Sequence, residues 1–89
     1  MKISTKGRYA LRIFIDLAQN QGDGFVALSE VSKRQDVSLK YLETIVATLV
    51  KGNLLRSQRG MSGGYRLSRE AKDISIFEIL NLTEGSLSP

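Results

Sequence analysis

The chain has 89 residues and a net charge of +4, with 42% hydrophobic and 25% charged residues. These proportions are typical of a folded chain with one hydrophobic core, so we predict a single domain over residues 1–89. Cysteine and histidine are both absent, which removes disulfides, thiolate-bound metals, the commonest zinc ligand and the commonest general base. No run approaches the roughly 20 apolar residues that span a bilayer. We therefore expect no enzyme, no cofactor held by this chain and no membrane partner.

Basic side chains are concentrated in two segments. Residues 1–12 carry four basic side chains and no acid, and residues 51–72 carry six basic side chains and one acid. Residues 13–50 carry three basic and five acidic side chains. Such clusters are typical of a surface that binds a polyanion, but a solvated surface that keeps the protein soluble explains the charge alone equally well.

The first predicted element is a helix from about Thr5 to Gln19, which Ser4 or Thr5 can cap. Its apolar residues recur with helical spacing at Ala10, Ile13, Phe14 and Leu17. Three more apolar residues widen this stripe, namely Leu11, Ile15 and Ala18. One neighbouring helix cannot cover so wide a stripe. The helix is therefore either central to the core or meets a partner along one edge.

The same segment has the basic start and the apolar content of a signal peptide. Arg12 and Asp16 interrupt its apolar part, and no small-residue cleavage site follows. We therefore predict a helix of a mature, cytoplasmic protein, which ends at the glycines of "NQGDG".

Two further helices are predicted after a short extended segment at residues 25–27. The first helix is capped by Ser29, carries Val31 inward and ends near Gln35. The second helix is capped by Ser38 and ends at "GN", residues 52–53, in the manner of a left-handed cap. Its inner stripe consists of Leu39, Leu42, Ile45, Val46 and Leu49, and its opposite side of Lys40, Thr44, Ala47 and Lys51, with Glu43 beside them.

The hydrophobic period then changes from helical to alternating. "LLRSQR" and "YRLS" alternate and are separated by "GMSGG", which predicts a β-hairpin with a longer loop. The last stretch, "SIFEILNLTEG", predicts a helix that begins with a capping box of Ser75 and Glu78. Its inner side is predicted at Ile76, Ile79 and Leu80, and Gly85 ends it.

The order of these elements predicts the fold class. Two helices joined by a short turn form a helix-turn-helix, although the same pair also occurs as an ordinary helical hairpin inside a bundle. A glycine-tipped basic hairpin directly after the pair is typical of a winged helix. The sequence therefore predicts a mainly α fold with a small β-hairpin, a winged helix-turn-helix.

The loop "RGMSGGYR" permits three interpretations. A phosphate-binding loop needs a lysine and a serine or threonine after its last glycine, but Tyr65 and Arg66 follow Gly64. "GMSG" matches the GXXG pattern of RNA-binding KH domains, yet that pattern joins two helices and this loop joins alternating runs. A hairpin tip that contacts DNA agrees best with the flanking segments.

DNA contacts are predicted at three places. In the hairpin they are Arg59, Gly60, Ser62, Gly63, Gly64 and Arg66, because arginines bind phosphates or a narrow minor groove and glycines let the backbone approach. Tyr65 is expected to pack beneath the hairpin. In the helix after Ser38 they are Ser38, Lys40, Tyr41, Glu43 and Thr44, since a recognition helix presents its N-terminal outer residues to base edges. At the first helix start they are Ser4, Thr5, Lys6 and Arg8, next to free backbone N–H groups.

Three of these predictions have an alternative. Ser62 can donate to a phosphate, or it can be an ordinary polar residue of a surface loop. Glu43 can accept a hydrogen bond from a cytosine amino group, or it can pair with Lys40 or Lys51 on the helix surface. The hydroxyl groups of Ser4 and Thr5 can bind phosphate, serve only as helix caps, or do both.

Three stretches, "MKISTKGRYALR", "VSLKYLE" and "RSQRGMSGGYRL", resemble the bacterial Rrf-two family of transcription regulators, the group of IscR, NsrR and CymR. The resemblance extends over essentially the whole chain. It implies a winged helix-turn-helix that binds double-stranded DNA as a homodimer. It also implies that the segment after Val37 is the recognition helix, and that Arg59 and the glycine-rich loop form the wing.

The chain departs from this family in one respect. Its members usually continue into a long dimerisation helix, and their iron–sulfur members carry cysteines in that later region. The resemblance therefore implies a DNA-binding fragment without the dimerisation and sensor region, in which any cluster or effector site would lie. The predicted function is a sequence-specific DNA-binding regulator, more specifically a repressor; the alternative is a winged helix that contacts other proteins and binds no DNA.

Overall fold

A computed structural model describes residues 2–85 of the chain. Their elements are α1 (Thr5–Asn20), α2 (Leu28–Gln35), α3 (Leu39–Lys51), β1 (Leu55–Gln58), β2 (Gly64–Leu67), a short 3-10 helix (Ala71–Asp73) and α4 (Ile76–Thr83). This order confirms the predicted mainly helical fold with one hairpin. Among the described residues, no helix has the length and apolar character that crossing a membrane requires.

One core joins these elements, and α1 lies at its centre. α1 packs against α2, α3, α4 and β2, so the interpretation of a central helix is correct. The predicted inner residues of α1 are all buried. Of the five predicted inner residues of α3, four are buried. One edge of α1 is nevertheless uncovered, because the side chain of Ile15 is 58% exposed.

Two residues that the helical period places in the core lie at the surface. Leu39 is 42% exposed and Ile76 is 63% exposed. Each is the first residue of its helix. A periodic pattern gives the direction of a side chain around the helix axis, but it does not show where the neighbouring elements end. Beyond that point an inward-pointing residue meets solvent.

Helix caps follow the predictions with one correction, at the start of α2. The side chain of Ser38 accepts a hydrogen bond from the backbone N–H of Tyr41, and Ser75 and Glu78 form the expected capping box. α2 begins at Leu28 rather than after Ser29, and its N-cap residue, Ala27, makes no side-chain cap bond. After α3 the predicted left-handed cap is present, with Gly52 as the C-cap residue and Asn53 in the left-handed conformation, at a φ of 63°.

The hairpin is attached to the segment between α1 and α2. β1 and β2 pair antiparallel, with Leu55 opposite Leu67 and Gln58 opposite Gly64. The predicted extended segment at residues 25–27 adds a single bridge, in which Val26 and Tyr65 exchange two backbone hydrogen bonds of 2.9 Å. This bridge occupies the backbone just before α2 and sets where that helix begins.

A buried carboxylate joins α1 to α2. Asp16 is 3% exposed, and it accepts hydrogen bonds from Arg34 at 2.8 and 3.0 Å and from the Gln35 side chain at 3.0 Å. The hydrogen bond from Arg34 holds the pKa of Asp16 below its ordinary value, although burial acts in the opposite direction. A buried charge requires such partners. Asp16 therefore fixes the position of α2 relative to α1.

We expect Asp16→Ala to lower the free energy of unfolding by about 2–3 kcal/mol, because the donors of Arg34 and Gln35 lose their acceptor. Urea denaturation measures this change. Glu70→Ala is the matched control, since Glu70 and Lys72 form an ion pair of 3.5 Å with side chains 75% and 78% exposed. An exposed pair contributes less than about 1 kcal/mol. Equal losses in the two variants would contradict the assigned role of Asp16.

The pH dependence of stability gives a second readout of the same contact. A carboxyl group whose pKa is lowered by folding stabilises the protein above its unfolded-state pKa of about 4, and this contribution is lost as the pH falls through the lower folded-state pKa. The free energy of unfolding of the wild type should therefore fall more steeply below about pH 4 than that of Asp16→Ala.

We expect Gly64→Ala to destabilise the hairpin by more than about 2 kcal/mol. Gly64 has a φ of +147°, and a Cβ atom there would lie 2.1 Å from the carbonyl oxygen of Val26. Thermal unfolding and amide hydrogen exchange at Tyr65 report the loss. Gly24→Ala is the control, because the nearest atom to a Cβ at Gly24 is 3.9 Å away. Similar unfolding temperatures for the two variants would refute this account of Gly64.

Candidate nucleic-acid interface

α3 divides into a buried side and a solvent-facing side. Leu42, Ile45, Val46 and Leu49 are at most 1% exposed. The opposite side, which we call the outer face of α3, consists of the exposed residues Lys40, Glu43, Thr44 and Ala47. Ser38, the cap of this helix, is exposed as well. Four of the five DNA-contacting residues predicted for this helix and its cap are thus exposed to solvent.

The charged groups of the outer face are not neutralised by the protein itself. Neither Lys40 nor Glu43 belongs to an ion pair within residues 2–85. A surface partner for Glu43 at Lys40 or Lys51, the alternative considered from the sequence, is therefore not formed. The hydroxyl group of Thr44 donates a hydrogen bond of 3.3 Å to the carbonyl oxygen of Lys40, and its own oxygen stays free to accept another.

Tyr41 is held by α1 rather than fully exposed. Its ring is half-buried and meets the ring of Tyr9 edge to face, with 5.6 Å between the ring centroids. The guanidinium group of Arg12 lies 4.9 Å from the centroid of the Tyr9 ring, and its Nε donates to the side chain of Gln35 at 3.0 Å. This cluster joins α1, α2 and α3. Sequence reasoning found only Tyr41, because nothing local to the chain shows which residues α1 brings beside it.

The start of α1 is occupied by a carboxylate of the protein itself. Ser4 donates to Glu84 twice, from its backbone N–H at 2.7 Å and from its hydroxyl at 2.6 Å, and the same hydroxyl accepts from the Gly7 N–H at 3.0 Å. The hydrogen bond from the Ser4 side chain is the main reason why the pKa of Glu84 is lowered. Glu84 was not among the predicted site residues. Eighty positions separate it from Ser4, so no local pattern indicates the pair.

The other predicted residues of this helix start differ in their surroundings. Thr5 and Arg8 are exposed. Lys6 is half-buried, and its ammonium group donates a hydrogen bond of 3.2 Å to the hydroxyl of Thr48 on α3. Lys6 therefore connects the start of α1 to the recognition-helix candidate, close to the outer face of α3.

The tip of the hairpin is open to solvent. Arg59, Gly60, Met61 and Ser62 are exposed, and a hydrogen bond of 3.0 Å from the Gly63 N–H to the Gly60 carbonyl closes the turn. Arg59 forms no ion pair within residues 2–85. No hydrogen bond in that range joins residues 59–62 to α3, so the tip is supported by the hairpin alone.

Two of the predicted glycines have an internal structural role. A Cβ atom at Gly63 would lie 2.1 Å from the Gln58 carbonyl oxygen, and one at Gly64 would meet the Val26 carbonyl at the same distance. Both glycines are therefore required by packing within the hairpin and against the bridge to Val26. Gly60 differs, because no atom lies within 4 Å of a Cβ there.

Arg66 lies on the hairpin but reaches back to the loop between α1 and α2. Its Nη1 donates to the Gly24 carbonyl at 2.8 Å, and its guanidinium group lies 5.8 Å from the centroid of the Phe25 ring. Tyr65 is half-buried and packs against the core, as expected. Arg66 thus anchors the base of the hairpin, and Arg59 is the arginine at its free end.

Comparison with known proteins identifies relatives of the whole chain. Residues 3–89 match the family described as "Rrf2: Iron-dependent Transcriptional regulator". The chain is 47% identical to the HTH-type transcriptional regulator IscR of Cereibacter sphaeroides over 90 residues, which is 99% of this chain and 58% of that protein. It is 43% identical to the HTH-type transcriptional regulator CymR of Bacillus subtilis over 89 residues, which is 100% of this chain and 64% of that protein.

Solved structures of the same family share the fold. The structure of B. subtilis CymR, the global cysteine regulator, superposes with a TM-score of 0.93 at 42% identity and covers 100% of this chain and 69% of that one. T. potens IscR superposes with a TM-score of 0.87 at 45% identity and covers 100% and 65%. The chain spans little more than half the length of the first curated relatives that it matches.

The family description names iron, and the residues of this chain do not fit a site for it. The sequence has no cysteine or histidine, and residues 2–85 contain no cluster of three acidic side chains that would hold a metal ion. The thiolate and imidazole ligands of iron centres are thus absent from these 89 residues.

The predicted resemblance is confirmed by three independent agreements. The family match extends over residues 3–89, the relatives are more than 40% identical, and the winged helix-turn-helix of CymR superposes on the full chain. These relatives regulate transcription and are not enzymes. The chain therefore belongs to the Rrf2, or Rrf-two, family of helix-turn-helix transcriptional regulators.

Proposed function

We propose that this chain is the sequence-specific DNA-binding part of a bacterial transcriptional repressor. α3 enters the major groove, and the hairpin contacts the backbone and the minor groove. The observation that carries this proposal is the outer face of α3, where Lys40, Glu43 and Thr44 are exposed and Lys40 and Glu43 have no ionic partner in the described part of the chain.

The outer face offers the chemistry that base edges require. Lys40 donates to the O6 and N7 acceptors of guanine, and Glu43 accepts from the amino group of cytosine. Thr44 contacts a base edge or the methyl group of thymine. An acid near DNA phosphates is repelled unless it reads a base, and this gives the unpaired Glu43 a reason to lie there. Ser38 and Tyr41 complete the contacts of this helix.

The hairpin supplies contacts that do not depend on sequence. Arg59 binds phosphate or enters a narrow minor groove, and Ser62 donates to a phosphate oxygen. Gly60 leaves room for the DNA backbone beside the tip, since no protein atom lies within 4 Å of its Cβ position. Gly63, Gly64 and Arg66 contribute by holding the hairpin in place, as their internal contacts support.

The start of α1 supplies a second group of phosphate contacts. Thr5 and Arg8 are exposed there, and free N–H groups at a helix start favour an anion. Ser4 binds phosphate only when Glu84 releases its hydroxyl group, and Lys6 only when it releases Thr48. These two residues are therefore weaker contacts than the sequence suggests.

A homodimer on a palindromic site completes the proposal. Two copies would place their α3 helices in successive major grooves, about 34 Å apart along the DNA. Because a bacterial chromosome lies in the cytoplasm, the proposal also places the protein there.

We expect the chain to bind duplex DNA with an affinity that falls steeply with salt, because binding by phosphate neutralisation releases counterions. Between about 50 and 200 mM salt, six or more phosphate contacts correspond to a loss of at least about 1,000-fold. Fluorescence anisotropy with a labelled duplex at several salt concentrations measures this loss. Absence of binding at low salt would instead favour a winged helix that contacts proteins.

We expect Arg59→Ala and Glu43→Ala to affect binding in different ways. Arg59→Ala should weaken binding to all sequences by a similar factor and reduce the salt slope by about one, since it removes a phosphate contact. Glu43→Ala should mainly change which sequence is preferred, by about 1–3 kcal/mol at one base pair. Parallel binding selections from a random duplex library measure both effects. A uniform change of affinity in both variants would show that the outer face of α3 is wrongly assigned.

A further inference from the structure

Large apolar side chains that lie exposed fall into two groups. Within residues 2–85 they are Ile15, Leu39, Met61, Ile76 and Phe77. Three belong to α1 and α4, which pack against each other. The other two, Leu39 and Met61, lie on α3 and on the hairpin tip, the two elements that the proposed function places in DNA grooves.

Leu39 lies at the end of α3 that a recognition helix presents to bases. It is the first residue of the helix, between the cap Ser38 and the exposed Lys40, and one turn before Glu43. Side chains of a helix lean towards its N-terminus. Leu39 therefore projects at the leading end of α3, and its side chain is 42% exposed. The inner residue one turn later, Leu42, is 1% exposed.

The chemistry of Leu39 limits what it can recognise. A leucine side chain has no donor or acceptor and cannot bond the polar groups of a base edge. In the major groove one base presents an apolar group, because thymine carries a methyl group at C5. Lys40, the next residue, and Glu43, one turn later, both lie next to Leu39 on the helix surface, and the proposed function assigns them to guanine and cytosine. An apolar residue beside them adds contact with thymine.

We propose that Leu39 is a specificity-determining residue that contacts the C5 methyl group of a thymine in the major groove. The inference rests on the proposed function and adds one named base group to it. Burial of one methyl-sized group contributes ~0.8 kcal/mol, which corresponds to about a fourfold change in affinity.

The test removes each partner of the contact separately. The wild-type chain first selects its preferred duplex from a random library. Every thymine of that duplex, or every symmetry-related pair in a palindrome, is then replaced by uracil, which lacks the methyl group and pairs identically. Dissociation constants are measured for the wild type and for Leu39→Ala. We expect one position where uracil weakens wild-type binding about fourfold per site and leaves Leu39→Ala nearly unaffected.

Two further variants make the result specific. Leu39→Met keeps an apolar side chain of similar size. It should therefore retain the uracil penalty, by which we mean the roughly fourfold weaker binding when that thymine is replaced by uracil. Met61→Ala removes the large exposed apolar side chain of the hairpin tip, which the proposed function places at the minor groove, and it should keep the full uracil penalty because thymine methyl groups lie in the major groove. Alanine is a better helix former than leucine, so Leu39→Ala should remain folded, which circular dichroism checks.

The outcomes separate this inference from the function on which it rests. If the uracil penalty is the same in Leu39→Ala and in the wild type at every thymine position, the assignment of Leu39 is overturned. A selected site without any uracil penalty in the wild type overturns it as well, although the proposed function stands. A wild-type chain that selects no preferred sequence overturns both.

Discussion

The structure depends on the orientation of α3 about its own axis. Leu42 and Leu49 are buried on one side of this helix, and this burial forces Lys40 and Glu43 to the other. Contacts from α1 stabilise the same orientation of α3. They are the Tyr9–Tyr41 ring pair and the hydrogen bond from Lys6 to Thr48. A rotation by one residue position, about 100°, would carry charged groups into the core. The hydrophobic side of the helix thus decides which residues are available to DNA.

The hairpin is held by a different kind of contact. Its base is joined to the loop between α1 and α2 by the Val26–Tyr65 bridge and by the bond from Arg66 to Gly24. Both contacts involve backbone groups, and they require a glycine at position 64, where the strand passes the Val26 carbonyl. The base of the hairpin is therefore fixed to the helices, while its tip carries Arg59 into solvent. A rigid base with an open tip suits an element that follows the DNA backbone.

Three of the nine acidic residues of this basic protein accept hydrogen bonds from residues of other segments. Asp16 bonds Arg34, Glu78 bonds Arg69, and Glu84 bonds Ser4 at the start of α1. Each of these carboxylates has a lowered pKa. The largest cause is the hydrogen bond from Arg34 for Asp16, the backbone hydrogen bond from Ser75 for Glu78, and the hydrogen bond from the Ser4 side chain for Glu84. None of these three carboxylates lies on the outer face of α3 or on the hairpin tip. Within the outer face of α3 and residues 59–62 of the tip, Glu43 is the one acidic residue.

Local patterns in the sequence determined the helices, the hairpin, the caps at Ser38 and Ser75 and the buried side of α3, because period and capping involve residues within a few positions of each other. Only the tertiary structure decided that Leu39 is exposed, that Glu84 accepts hydrogen bonds from Ser4 and that position 64 must be glycine. These outcomes depend on where neighbouring elements end and which distant groups they bring together. Such distances are set by packing of the whole chain, and a local pattern carries no information about them.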